Sequence, residues 1–349
     1  MTASTDIEKA CLKPLAEIFD NGQIGLVYEL YQHNAVQHMP WGDHYGREAV
    51  IREATALLAA FPDLAYRTVA TITAPGDDGT LKILEHFQWQ GTHTGFGIYG
   101  PPTDHGITVS GLRLLECRDG RIITEWFQDD RLSLIRQLAL DPRDVARRMQ
   151  TAAPVDFTWE AGSGEIVHSM GQTPPDPWPR YQGKTDPEVL IHTLVQKMWN
   201  WRLLAAADEL FAGNCHFDLG GGVSLENLAE FKADALNRLA AFSDLTITVD
   251  DIFWQKEENT VSAALRWTLT GTHNGFSSYG SPSGARLCLP GLSRMEIRRQ
   301  RIVSIVERFG ELVLGTHQDH ACPNSAEAAD NEKNQNENQW NNSEHKSHE

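Results

Sequence analysis

The chain has 349 residues, enough for two domains that each bury a core. It is 41% hydrophobic and 22% charged, carries a formal net charge of −17, and shows no cluster of Lys or Arg. That balance argues against nucleic acid and anionic membrane as partners. No apolar run approaches the ~18 residues needed to span a bilayer. Five cysteines (Cys11, Cys117, Cys215, Cys288 and Cys322) are scattered singly with no CxxC pair, which is the usage expected of reduced thiols in a cytoplasm.

Taken in order, Ile7, Cys11, Leu15, Ile18 and Phe19 recur at helical spacing, and a second short helix is predicted through Val27 and Tyr31. The loop "VQHMPWGDHYG" follows, with His38, Trp41 and His44. A third helix is predicted from about 48 to 60, with Val50, Ala54, Leu57 and Leu58 along one stripe. After Pro62 the period changes to two. Strands are predicted over Tyr66–Thr73, Leu81–Thr92, Ile107–Arg118 and Arg121–Asp129, with "GDDG" (76–79) and Asp119-Gly120 as hairpin turns. A closing helix runs from Arg131 to Leu138, and Asp130 is placed to cap it.

Residues 146–183 form a Pro/Gly-rich stretch that reads as a linker, its Trp159 and Trp178 packing on a surface. The pattern then begins again. "GTHTGFGIYGPP" at 91–102 returns as "GTHNGFSSYGSP" at 271–282, an offset of 180. Gly111-Leu112 returns as Gly291-Leu292 and Arg121-Ile122 as Arg301-Ile302. Phe61-Pro-Asp-Leu64 returns as Phe242-Ser-Asp-Leu245 at an offset of 181. The chain is therefore a duplication: copy one at 1–145, copy two at 184–320, and a polar, amide-rich tail at 321–349 that lacks the apolar surface to fold. His317, His320, His345 and His348 in and near that tail read as solvated polar residues.

Helices followed by an antiparallel meander imply an α+β domain: three helices on one face of a curved sheet, forming a cone with a cavity at its wide end. Strand parity points Ile83, Glu85, Phe87, Trp89 and His93 inward, and likewise Ile107, Val109, Gly111, Arg113, Leu115 and Cys117. Arg113 is thus a cation among apolar neighbours and needs a carboxylate. The face of the last strand bearing Ile122, Trp126 and Asp130 is expected inside, so that Asp130 supplies that carboxylate. Asp129 lies on the other face unless a bulge exchanges the two.

Phe61-Pro-Asp, Gly91-Thr-His-Thr-Gly95, Pro101-Pro-Thr103, Asp119-Gly-Arg-Ile122 and Glu125-Trp126-x-x-x-Asp130-x-x-x-Leu134-x-x-Gln137-Leu138 together resemble the SnoaL-like polyketide cyclases. That family lies within the nuclear transport factor 2-like, ketosteroid-isomerase-like fold. The resemblance covers most of copy one and the central hairpin of copy two. It implies a pair of cone-shaped barrels packed as an intramolecular pseudo-dimer, with no metal or organic cofactor. It also implies acid–base chemistry at carbon beside a carbonyl, with Asp130 as the proton-transfer group. This chain departs from the family's usual pattern at Phe96-Gly97, where Glu-Phe is common, and at Glu116, where Arg is common.

The expected catalytic residues are Asp130, His93 and Arg113, with His38, Trp41, Phe87, Trp89 and Trp126 around a small, apolar or cyclic substrate. His93 has a twin in His273, which favours a structural task, and His38 is matched with His216 at an offset of 178. In copy two, Gly310 stands where Asp130 does and Val306 where Trp126 does, with Glu311 one residue late. Copy one is then the catalytic copy, a cyclase, isomerase or dehydratase. Water addition to an epoxide through Arg113 and Asp130 is the alternative within the same pocket, and a non-catalytic small-molecule binder, or a scaffold of two cones, is the alternative outside enzymology. Association of further copies is compatible with either.

Overall fold

A computed structural model describes residues 2–76, 79–151, 187–276 and 282–314. The expected linker, apart from its first residues, and the expected tail, with Trp159, Trp178, Cys322 and the four tail-region histidines, lie outside the described residues.

Copy one opens with α1 (Thr2–Asp20), whose Cys11, Leu15 and Ile18 are buried on one face. A 3-10 turn (Ile24–Leu26) leads into α2 (Val27–Leu30), which stops one residue short of the expected Tyr31. Tyr31 instead begins β1 (Tyr31–Met39), hairpinned to β2 (Gly42–Tyr45). Then come α3 (Arg47–Ala60), β3 (Ala65–Pro75), β4 (Leu81–Thr92), β5 (Gly106–Arg118), β6 (Arg121–Asp129) and α4 (Arg131–Gln137). A further helix, α5 (Pro142–Thr151), crosses the point at 146 where proline content predicted a linker.

Copy two repeats this order with α6 (Pro187–Thr193), a π-helical continuation over Leu194–Asn200, α7 (Ala207–Leu210), β7 (Phe211–Gly220), β8 (Val223–Leu225) and α8 (Leu228–Ala241). β9 (Thr246–Glu257), β10 (Thr260–Thr272), β11 (Arg286–Arg298), β12 (Arg301–Phe309) and α9 (Glu311–Leu314) complete it.

Each copy is α+β, as the periodicity predicts, but two features differ from expectation. The six-stranded sheets run β2-β1-β6-β5-β4-β3 and β8-β7-β12-β11-β10-β9, and neither closes into a barrel. Nor are they purely antiparallel: β1 joins β6, and β7 joins β12, in parallel. β1 escapes prediction because Gln37 occupies one of its buried positions, breaking the apolar alternation of Tyr31, Ala35 and Met39.

The concave faces carry the two cores. The convex faces meet. Ile72, Leu84, Leu112, Leu114 and Trp126 of copy one pack with Phe253, Ala264, Leu292 and Val306 of copy two in a third apolar cluster. Around it Lys82 pairs with Asp251 at 2.6 Å, and Arg308 reaches across to donate to the Ser110 hydroxyl at 2.5 Å. The two sheets thus pack back to back within one chain.

The repeated phrase is built for close packing. A Cβ on Gly95 would sit 1.7 Å from the Ala59 carbonyl oxygen, and one on Gly275 1.7 Å from that of Ala240. Both glycines let the hairpin lie directly on the end of α3 or α8.

Candidate functional site

The parity argument holds in β4 and β5: Glu85 stands directly opposite Arg113, and both point into copy one. It fails in β6. Glu116 pairs with Thr124 but Cys117 with Ile122, so Ile123 is an extra residue and the faces exchange there. Beyond the bulge Glu125, Phe127 and Asp129 turn inward, while Trp126 turns out into the cluster between the sheets. β12 carries the same irregularity at Val303.

Arg113 is therefore paired by residues other than Asp130. Its Nε lies 2.6 Å from Glu125 Oε1, and its Nη1 lies 3.6 Å from Glu85 Oε2. The guanidinium is 2% exposed and also lies over the rings of Phe87 and Phe127, 5.1 and 5.2 Å from their centroids. Neighbouring donors complete the carboxylates. Tyr31 Oη (2.8 Å) and Gln37 Nε2 (2.9 Å) donate to Glu125, and Tyr66 Oη (2.6 Å) and Thr68 Oγ1 (2.5 Å) donate to Glu85. Burial, with the adjacent carboxylates, pushes the phenols of Tyr31 and Tyr66 well above their ordinary range, so both stay protonated.

A second cluster stands nearer the mouth. Arg131, the first residue of α4, grips Asp129 with Nε at 2.9 Å and Nη2 at 2.8 Å, and donates through Nη1 to Tyr99 Oη at 2.8 Å. The Trp41 ring covers its guanidinium at 4.7 Å. The Tyr99 phenol is pushed up to about 12, first by burial. Glu53 of α3 faces the same space. Desolvation raises its carboxyl above the usual carboxylate range, Arg131 pulls it back and Asp129 opposes that pull. His44 Nδ1 lies 4.0 Å away, and burial holds that imidazole down to about 4, neutral at pH 7.

Between the clusters lies a cavity of about 50 Å3 bounded by Tyr31, Gln37, Glu53, Tyr99, Arg113, Glu125 and Arg131, with apolar walls from α1, α3, Trp89, Ile98 and Phe127. Of the sequence-predicted residues, Arg113 and Trp89 border it. Phe87 packs behind, its ring tilted against Trp89 at 5.2 Å, and Trp41 lies over Arg131. His93 is fully buried in its hairpin, where Nδ1 meets Thr103 Oγ1 at 3.1 Å and the ring packs on Phe61 and Tyr99. His273 makes the same contacts with Ser283 and Phe242, the arrangement of a loop organiser.

Asp130, His38 and Trp126 lie elsewhere. Asp130 caps α4 through Ser133 N–H at 3.0 Å and accepts from the Gly221 and Gly222 N–H groups of copy two at 2.8 and 3.2 Å. His38 pairs with Asp43 at 2.8 Å and stacks on Trp126 at 5.1 Å, outside the cavity. Strand register puts Asp218 at the place of His38, so His216 is not its counterpart. The bulge, invisible as composition, moved Asp130 and Trp126 off the concave face.

Glu53, Glu125, Gln37, Tyr31, Tyr99 and Arg131 were not singled out from sequence. A signal for most of them was present in the duplication. At the matching places copy two has Phe211 for Tyr31, Phe217 for Gln37, Leu265 for Glu85, Ser293 for Arg113, Ile305 for Glu125 and Phe309 for Asp129. Copy two lines its cone with these residues and with the Arg238 side chain, which pairs with Glu307 at 2.6 Å and lies over Trp199 and Phe309.

The family model for SnoaL-like polyketide cyclases matches residues 9–138 and again 189–310, well over half of the chain. The chain belongs to the SnoaL-like polyketide cyclase family. As a tandem SnoaL-like protein it is similar to several solved single-copy structures. IdmH, a putative polyketide cyclase from Streptomyces antibioticus, is 25% identical, with 39% of this chain and 99% of that chain covered at a TM-score of 0.33. A putative SnoaL-like polyketide cyclase from Jannaschia is 18% identical, covering 38% of this chain and 94% of that one at 0.33. AclR, a putative hydroxylase from Streptomyces galilaeus, is 17% identical, covering 39% and 96% at 0.35. No curated protein matches this SnoaL-like chain.

Proposed function

We propose that copy one is a cofactor-independent acid–base enzyme acting at carbon beside a carbonyl, as an aldol-type cyclase, isomerase or dehydratase. The observation that carries this reading is the contrast between the copies. The same fold stands in copy two without Tyr31, Gln37, Arg113, Glu85, Glu125 and Asp129, so the fold does not need them, while Asp234 keeps a carboxylate at the place of Glu53. Two buried ion-pair clusters facing one cavity are costly to desolvate, and such groups gather where chemistry uses them.

Glu53 is the proton-transfer group in this reading. Its carboxyl borders the cavity, and burial makes its conjugate base stronger than an ordinary carboxylate. Tyr99 and Arg131, held together by their hydrogen bond and by Asp129, are the groups placed to receive negative charge on a carbonyl oxygen as the neighbouring C–H bond breaks. Arg113 and Glu125, with Tyr31 and Gln37, shape the polar floor. Apolar walls suit a ring or acyl chain. Epoxide opening through an Arg113–Asp130 pair is not favoured, because those residues point to different sides of the sheet. Cys11, Cys117 and Cys215 are free, buried thiols, Cys11 and Cys117 left reduced with their sulfurs only 3.2 Å apart, which favours a reducing compartment such as the cytoplasm.

The test is deuterium exchange at the α-carbon of a panel of cyclic β-keto esters in D2O, followed by proton NMR. Wild-type protein should accelerate exchange, and Glu53→Gln should lose about 100-fold or more of that acceleration. Because the base must be ionised, the rate should fall as pH drops through a value above the usual carboxylate range. Undiminished exchange in Glu53→Gln would remove Glu53 from this role, and no exchange by wild type on any member would sink the reading.

A further inference from the structure

The mouth of copy two's cone is not filled. α8 and the turn after β7 border it, the first residues of α9 reach into it, and the segment from α4 to the start of α5 of copy one roofs it. The space is about 220 Å3, larger than the cavity of copy one. Its polar walls are Arg136, Asp141 and Arg143 from copy one and Asp234, Arg238 and Glu311 from copy two.

Glu311 is the unusual member. Its place along the chain is that of Arg131 in copy one, so the charge at this point of the cone is reversed. The turn beside it is Gly220-Gly221-Gly222, all three at positive φ. A Cβ on Gly221 would sit 2.9 Å from Glu311 Oε2 and 3.4 Å from Arg136 Nη1, so glycine there keeps room for the carboxyl.

Most of the surrounding charged groups already have partners. Arg238 pairs with Glu307 at 2.6 Å and has Asp234 at 3.8 Å. Arg308 pairs with Asp218 at 2.7 Å, and Arg136 donates to the Gly221 carbonyl. Asp130 is held by three backbone N–H groups, from Ser133, Gly221 and Gly222. Asp141 and Arg143 lie at the exposed rim, where the Asp141 carboxylate accepts from the Arg143 backbone N–H at 2.8 Å. Arg238 and Arg308 act on the Glu311 carboxyl through space, but among the described residues it is the carboxyl lining this pocket that has neither a hydrogen bond nor an ion pair. An anion would have to lie against Glu311 and near Asp130, and a neutral molecule leaves the Glu311 proton in place. A cation takes the place of that proton.

We propose that the mouth of copy two is a second small-molecule site, taking an ammonium group against Glu311 under the roof supplied by copy one. It is independent of the acid–base reading of copy one. Burial and the nearby Asp130 push the Glu311 carboxyl up to about 8, so binding of a permanent cation must release a proton at neutral pH.

Tetramethylammonium chloride, which does not titrate, is the probe, with sodium chloride at equal ionic strength as the reference. Calorimetric titration should give saturable binding to wild type that weakens about tenfold from pH 9 to pH 7, as a site with a group near 8 requires. Glu311→Gln, with its fold checked by circular dichroism, should abolish binding at both pH values. Glu53→Gln should leave the isotherm unchanged. Absence of saturable binding, binding that survives Glu311→Gln, or loss of binding in Glu53→Gln would each overturn the proposal. The pH dependence in wild type decides the matter should Glu311→Gln fail to fold.

Discussion

Arg113 shows how much a single residue depends on its partners. A guanidinium that is 2% exposed is tolerable only because Glu85 and Glu125 are equally buried beside it. Arg113→Ser, which installs the copy-two residue alone, leaves both carboxylates uncompensated and should cost about 3–5 kcal/mol in urea unfolding. Combining it with Tyr31→Phe, Gln37→Phe, Glu85→Leu and Glu125→Ile reproduces the set that copy two already tolerates. That variant should recover most of the loss and unfold with the same m-value as wild type. The need for a carboxylate was legible in the sequence, since Arg113 stood among apolar inward positions. The partner was not: Glu85 was on the same inward face, but only cross-strand register shows that it stands opposite.

At the scale of elements, period-2 patterning located β4 and β6 to the residue and β5 to within one. It missed β1 because a strand that presents Gln37 to a polar cavity no longer alternates apolar with polar. It left open a bulge that would exchange Asp129 and Asp130 but could not place it at Ile123, because a bulge inserts no characteristic side chain; its effect is to turn Asp129 inward and Asp130 outward. The glycines of the repeated phrase have a stricter cause. Gly95→Ala would drive a methyl into the Ala59 carbonyl, so the hairpin must lift from α3, and the Ile98–Tyr99 segment that borders the cavity must lift with it. The expected result is a loss of about 1–3 kcal/mol of stability by thermal unfolding. Any activity assayed on the same sample should fall more than that loss explains.

For the whole molecule, the duplication was the most legible feature, because two copies of one phrase at an offset of 180 need no structure to recognise. How the copies meet was not legible. Leu84, Leu112 and Leu114 alternate with the concave positions and read as the second face of a strand; that this face meets its twin follows only from the packing. Asp130 joins the halves at the edge of that contact. Asp130→Ala removes a helix cap, worth about 1 kcal/mol, and leaves the Gly221 and Gly222 N–H groups without their acceptor. Scanning calorimetry should show a lower first transition, and the two halves should begin to unfold separately where wild type unfolds them together.

The Asp130 contact also bears on how such a chain can change. In a dimer of identical subunits, every substitution appears on both sides of the symmetry axis at once. Here Asp130 accepts from two glycines of a triple-glycine turn, while its positional twin Gly310 has no side chain with which to make a matching contact. The junction is therefore lopsided in a way that only a fused chain can inherit. Cut between the copies and expressed as separate pieces, the halves should seek each other and not themselves, since a pair of first halves has two aspartates and no triple-glycine turn to receive them. Fusion exempted one cone from the other's duties, and the reversal of charge from Arg131 to Glu311 is what that exemption left behind.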